Sequence, residues 1–376
     1  MKSIVIAGAA LVSTFAFAGP AAASESPSSS GSDAPFGSRS GFFVQTNAPD
    51  GNAILAYDSA LRPTGTYATG GDGGALSGAV VDRLASQGAL TLDRAQGLLY
   101  AVNAGSDTIT VFGVSGTRLT RLQVIGSGGE FPVSVAIHGD LVYVLNARDG
   151  GSVQGFQRLG SRLMRIPSWH RALGLDPAAT PEFTHTPGQV AFSPDGSQLL
   201  VTTKAGTNAV DVFAVNRFGG LSSTPVVNVE AGGVPFAAAF DRGGRLAVAE
   251  AGPNAVATFD LHHDGTISAL DNAATGQAAT CWIVFANGTF YLSNAGSGTV
   301  SAYRTGTDGT LTALGTTPTD PGTVDATASS DGRHLYVQTG ANGTVDAYQI
   351  NADGSLTAAG SVTVPHSAGG EGIAAN

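Results

Sequence analysis

The chain has 376 residues, 42% of them hydrophobic and only 12% charged, so it can bury a sizeable core but is too poor in charge for a bundle of solvated helices. Its 18 Lys and Arg against 28 Asp and Glu give a formal charge of −10 with no basic run, which argues against nucleic acid as a partner because phosphates need clustered cations. The 53 glycines point to many tight turns and an all-β chain.

The N-terminus has the form of an export signal. Met1-Lys2 is the positive end, "IVIAGAALVSTFAFA" the apolar stretch, and Ala21-Ala22-Ala23 a small-residue cleavage site. Cleavage is expected after Ala23, with "AFA" ending at Ala18 as the alternative, giving a signal peptide over 1–23. A Ser-rich flexible linker follows over 24–40, and one folded domain over 41–376. The apolar stretch is short for a membrane-spanning helix and no later segment reaches that length, so the expected location is outside the cell. Cys281 is the single cysteine and is expected to be a buried small hydrophobe in a strand; no intrachain disulfide is available.

From residue 42 onward one phrase returns seven times: an apolar run, a small-residue turn, then an alternating run ending in Phe or Tyr. Its copies include "LYAVNAGSDTITVF" from 99, "LLVTTKAGTNAVDVF" from 199, "LAVAEAGPNAVATF" from 246 and "FYLSNAGSGTVSAY" from 290. Each is a β-hairpin pattern. The residue opening the turn is read as Asn47, Asn103, Asn146, Lys204, Glu250, Asn294 and Thr339 in order. The repeat of about 45 residues is that of a propeller blade. A short apolar run such as "VSVAIH" or "FAAAFD" precedes most hairpins, and Asp-Gly turns such as those in "HHDGTISAL" and "GTDGTLTAL" follow them.

These parts predict seven blades of four antiparallel strands, A innermost to D outermost. The first copy lacks an inner strand and the last has one too many, so Gly372–Ala375 is expected to pair with the first blade and close the ring. Two connections between a strand D and the next strand A are long. The one at 70–86 is expected to hold a short helix, and the other spans 166–188. Both should share a face with the turns between strands B and C.

"AFSPDGSQLLVTT", "LYAVNAGSDTITVF" and "DGRHLYVQTGANGTVDAY" make 41–376 resemble the seven-bladed propeller lactonases, a group that includes 6-phosphogluconolactonase and the 3-carboxymuconate lactonising enzymes. The resemblance implies the propeller fold and a lactone as substrate. Family enzymes often carry Asn-Arg-Gly in one B–C turn, with an Arg suited to an anionic substrate. Here those turns read Asn-Ala-Gly at 103–105 and 294–296 and Lys-Ala-Gly at 204–206, the nearest arginine being Arg148.

No nucleophile elbow, phosphate loop, HExxH or EF-hand sequence is present. The candidates are therefore scarce charges and aromatics on the expected channel face. Lys204 and Glu250 stand at turn positions where other blades carry Asn or Thr, so Lys204 could polarise a lactone carbonyl and Glu250 activate water, or both could be exposed turn residues. Asp325 and Glu371 begin inner strands, where a carboxylate is a general base, a ligand for a Ca²⁺-type cation, or a turn cap and strand anchor; no cofactor or metal motif is evident. Gln189 and Trp282 occupy comparable starts. Arg148, Trp169, His170 and His185 are expected at the rim, where they could contact substrate or merely pack a Pro-rich loop. Two functions follow: a secreted, monomeric hydrolase of a small lactone, or a non-catalytic extracellular propeller that holds a partner on its insertion-bearing face.

Overall fold

The computed structural model describes residues 40–376; the expected export signal and all but the last residue of the expected linker lie outside them. Seven four-stranded antiparallel sheets are arranged as blades, each in the order A-B-C-D. The inner strands A are Ile373–Ala375 for blade 1, then Leu90–Asp93, Pro132–His138, Gln189–Phe192, Pro235–Phe240, Thr280–Ala286 and Thr323–Ala328 for blades 2 to 7. Strands B read as continuous apolar runs because blades cover both their faces; Leu98–Asn103 is buried at every position. Outer strands such as Leu356–Thr363 are mostly exposed.

Alternate side chains of one strand go to opposite neighbours. Phe42 stacks on Tyr336 of blade 7 at 4.5 Å between ring centres, while Phe43 joins Leu99, Ala101 and Phe112 of blade 2. The ring closes as expected: Ile373–Ala375 pairs with Gly41–Gln45 through Phe42↔Ala375, Phe43↔Ala374 and Val44↔Ile373. Asn376 N donates to Gly41 O (3.0 Å) and Asn376 Oδ1 accepts from Gly41 N (2.7 Å). Removing 373–376 is expected to cost on the order of 5 kcal/mol, from lost apolar burial and unpaired ladder groups, and to lower the melting temperature by about 10 °C. A truncated chain melting like the full one would show that the ring does not depend on this strand.

Two expectations about the long connections need correction. Residues 70–89 form turns and bends and contain no helix. Residues 166–172 are not part of an insertion but continue the outer strand of blade 3, Arg162–Ala172, with Gln154↔His170 and Val153↔Arg171 in register. The second insertion is therefore 173–188, with one short helix, Glu182–His185. Trp169 explains the longer strand: its ring lies over Tyr143, with centres 6.2 Å apart, against Gly219 and Gly220 of blade 4.

Candidate functional site

The B–C turns and D–A connections share one face, and residues 82–88 descend from that face into the axis of the ring. Leu84, Ala85 and Ser86 are buried there. This segment bonds to most of the blades. Gln87 and Ile283 of blade 6 exchange two hydrogen bonds (2.8 and 2.9 Å), Trp282 Nε1 donates to Ser86 O (2.6 Å), and Ser134 of blade 3 donates to Gln87 O (2.7 Å). Arg83 N donates to Gly369 O (2.9 Å), its guanidinium reaches Asn47 O (3.2 Å), and Gln87 N donates to Gly188 O of the 173–188 insertion (3.1 Å). The expected channel mouth is thus plugged by the chain itself.

Below the plug is a cavity of about 470 Å³. Gln87 and Gly88 close its inner end, Gln189 and Asp325 line the wall beside them, and Ala191, Phe192 and Ala326 continue it; His138, Ser193 and Pro194 form its far end. Those last residues belong to the turns between strands A and B, so the cavity opens on the face opposite the insertions.

Three carboxyl groups and one ammonium meet around the plug. Glu371 is fully buried, and its carboxyl accepts from Ala89 N and Ser86 Oγ (both 3.3 Å). Burial, reinforced by the charges of Asp82 and Asp325, pushes it well above the carboxylate range, and as the protonated partner it donates to Asp325. Asp325 is 4% exposed and accepts from Ala326 N (2.9 Å); burial outweighs this bond and the one from Glu371, raising it to about 7. Asp82, buried, accepts from Leu84 N (2.7 Å) and Ser86 N (2.9 Å), and burial still raises it to about 6. Asp325 and Glu371 form a proton-sharing pair, of which Asp325 alone meets the cavity.

Lys204 reaches this cluster but not the cavity. Its Nζ donates to Ala85 O (2.7 Å), Phe183 O (2.6 Å) and Thr186 Oγ1 (3.1 Å), and lies 5.4 Å from the Phe236 ring centre. Burial lowers it to about 7 against the opposing charge of Asp82. The ladder also corrects its register. Thr203 pairs with Ala209 as Asn294 pairs with Thr299, so Thr203 is the turn-opening residue and Lys204 lies one place beyond it. The same shift makes Thr46 the first blade's equivalent, and Asn47, one place on, donates inward to Glu371 O (2.6 Å).

Glu250 does stand at the turn-opening register, but that register faces away from the axis. Its Oε2 accepts from Asn272 Nδ2 of the blade's outer strand (2.7 Å), and burial raises its pKa. It does not join Asp325, Glu371 and Lys204. Asn294 at the same register bonds Thr299 (3.1 Å) and Ser301 (3.0 Å), and Asn103 does likewise with Thr108 and Thr110, as joints between strands B and C.

The rim candidates are also separated from the cavity. Arg148 pairs with Glu182 (2.7 Å) over the Phe131 ring (4.3 Å), tying the 173–188 insertion to blade 3. His185 bonds Thr184 and Pro181 within its own helix. His170 is exposed on the outer strand beside Trp169. Trp282 holds the plug, and Gln189 lines the cavity, its Oε1 accepting from Ala238 N (2.6 Å). Cys281 is buried, and burial pushes its thiol up to about 12. Among the described residues no group of three or more His, Cys, Asp or Glu is placed to hold a metal ion. No helix among them is long and apolar enough to cross a membrane.

Sequence reasoning missed Asp82, Ser86, Gln87 and His138. The signal for the first three was the excess length of the connection after blade 1, which had to fill some space; for His138 it was its place at the end of an inner strand.

The seven-bladed β-propeller lactonase model matches residues 79–249 and 248–374. No curated protein matches by sequence. Similar solved structures include a candidate 6-phosphogluconolactonase from Bacteroides fragilis, with TM-score 0.70 and 18% identity over 93% of this chain and 100% of that one. The periplasmic gluconolactonase of Pseudomonas aeruginosa gives TM-score 0.70 and 16% identity over 89% and 98% of the two chains. A protein from Lactobacillus plantarum gives 0.71 and 20% over 90% and 99%. At such identities the structures speak for the fold, while the family match, spanning the described blades from the plug to the closing strand, shows that the chain belongs to the seven-bladed β-propeller lactonases.

Proposed function

We propose that this exported propeller hydrolyses a lactone in the central cavity, with Asp325 as general base and Glu371 as the proton-bearing partner that positions it. The observation that carries the proposal is the buried Asp325 carboxyl, backed by Glu371, at the inner wall of a cavity able to hold a small molecule. Asp325 takes a proton from water as the water oxygen adds to the lactone carbonyl carbon. The donor to the oxyanion so formed is assigned to the Gln189 amide, which lines the same cavity and whose Nε2 makes no hydrogen bond among the described residues. Collapse breaks the bond to the ring oxygen, which takes the proton from Asp325 and leaves an open hydroxy acid. One water is consumed and no other reactant is needed. A base near neutrality suits this step, since it is both largely ionised and able to hold a proton.

The test is a panel of five- and six-membered lactones followed by acid release, run with added Ca²⁺ and with a chelator. Ring opening above the uncatalysed rate is expected. Background rates throughout would leave the alternative, a propeller that binds an extracellular partner without turnover.

A further inference from the structure

The cavity's charge inventory says more about its ligand than the blades do. Of its 17 lining residues, none is Lys or Arg. Its titratable lining groups are Asp325 at the inner end and His138 at the outer end. The nearby cations are committed elsewhere. Lys204 lies behind the plug with three acceptors on its ammonium. Arg94, next to the inner strand of blade 2, bonds Ala375 O (2.7 and 3.0 Å) and Ala328 O (2.8 Å).

Anions are not balanced in this way. Asp325 has the Glu371 and Asp82 carboxyls near it. Asp195, in the turn beside the cavity residues Ser193 and Pro194, accepts from the Ser193 and Ser197 hydroxyls (2.6 and 2.8 Å), and these bonds hold it at about 2, a fixed anion near the opening. Within the lining, a phosphate or carboxylate would meet the Asp325 carboxyl with no Lys or Arg side chain to answer it. Neutral contacts are plentiful: Gln87, Thr91, Gln189 and Ser193 offer polar groups, and Leu90, Val190, Phe192 and Ile373 offer apolar wall.

The geometry points to an uncharged lactone as the substrate class, admitted through the face of the A–B turns and not through the insertion-bearing face. This rests on the lactone reading above, and binding separates the two. The probes are a lactam of a neutral aldonolactone, which resists hydrolysis, and its phosphate monoester, titrated calorimetrically into the full chain. The neutral lactam is expected to bind at least tenfold more tightly. Ala191→Arg places a cation on the cavity wall and is expected to shrink or reverse that ratio; Ala326→Lys serves if the first variant does not fold. Entry is read by labelling, because buried Cys281 leaves introduced thiols as the reactive ones. A bulky maleimide on Pro194→Cys should abolish lactam binding, and the same label on Val80→Cys, at an exposed residue of the connection that leads into the plug, should not. Tighter binding of the phosphate ester, an unchanged ratio in the folded Arg or Lys variant, no binding of either lactam, or blockage from position 80 alone would overturn the inference. Neutral-lactam binding without turnover of any lactone supports it and counts only against hydrolysis.

Discussion

Asp325→Asn is expected to fold, to melt higher than the parent at pH 8, and to open lactones about 10²- to 10⁴-fold more slowly, the usual loss for a general base. The carboxyl is held in a place that suits chemistry and not stability. Its pKa rises from 3.8 unfolded to about 7 folded, chiefly by burial, so the folded state binds the proton more tightly than the unfolded chain does. That contribution to stability is complete below about pH 4, declines as pH rises towards 7 and is gone above it. Asparagine keeps the shape without the titration, and the gain at pH 8 should be on the order of a few kcal/mol, since one pKa unit is about 1.4 kcal/mol. It should vanish near pH 4. The parent's kcat/KM is expected to rise with pH through about 7 as the carboxylate forms. A variant keeping a third of parental activity, or a flat profile from pH 5 to 9, would remove Asp325 from the mechanism.

The blades were legible because every blade needs the same thing: two apolar strands joined by a turn of small residues, with a tight hairpin outside. Counting strands at the two ends also gave the closure through Ile373–Ala375, because an unpaired inner strand and a missing one can only satisfy each other. The candidate site was legible in part. Asp325 and Glu371 came from their place at inner-strand starts, which the pairing pattern fixes. The plug was not legible, because 70–88 has no period and its role depends on partners such as Ile283, 196 residues from Gln87. The part that enters the axis, Asp82 to Gly88, reads in sequence as an ordinary polar loop. The register at Lys204 was ambiguous by one residue, since Thr202 and Thr203 both fit the end of a strand; only the hydroxyl of Thr203 bonding Ala209 N (2.9 Å) decides it. Glu250 shows a different limit. Its register was correct, but a residue replacing Asn at a joint inherits the direction in which the joint points, towards Asn272 and away from the channel.

Lys204 therefore becomes a structural cation, and Lys204→Met should separate stability from activity. The ammonium joins the two insertions through Ala85 O and Phe183 O, and methionine leaves the buried Ala85 carbonyl and the half-buried Phe183 carbonyl without a donor. Each unpaired group costs about 1–3 kcal/mol, partly offset because an ammonium no longer has to be desolvated. The balance depends on pH in a definite sense. Burial lowers the lysine from 10.5 unfolded to about 7 folded, so between these values the unfolded chain holds a proton that the folded chain has released, and parental stability rises with pH across that window. Methionine cannot follow this rise. The deficit of the variant in denaturant unfolding should be roughly 2 kcal/mol at pH 6 and larger at pH 9. Turnover by the folded variant should stay within about threefold of the parent, because the plug stands between residue 204 and the cavity. A folded Lys204→Met chain losing a hundredfold in kcat/KM with parental stability would restore Lys204 as the electrophile and mean that the plug opens to admit substrate from the insertion-bearing face.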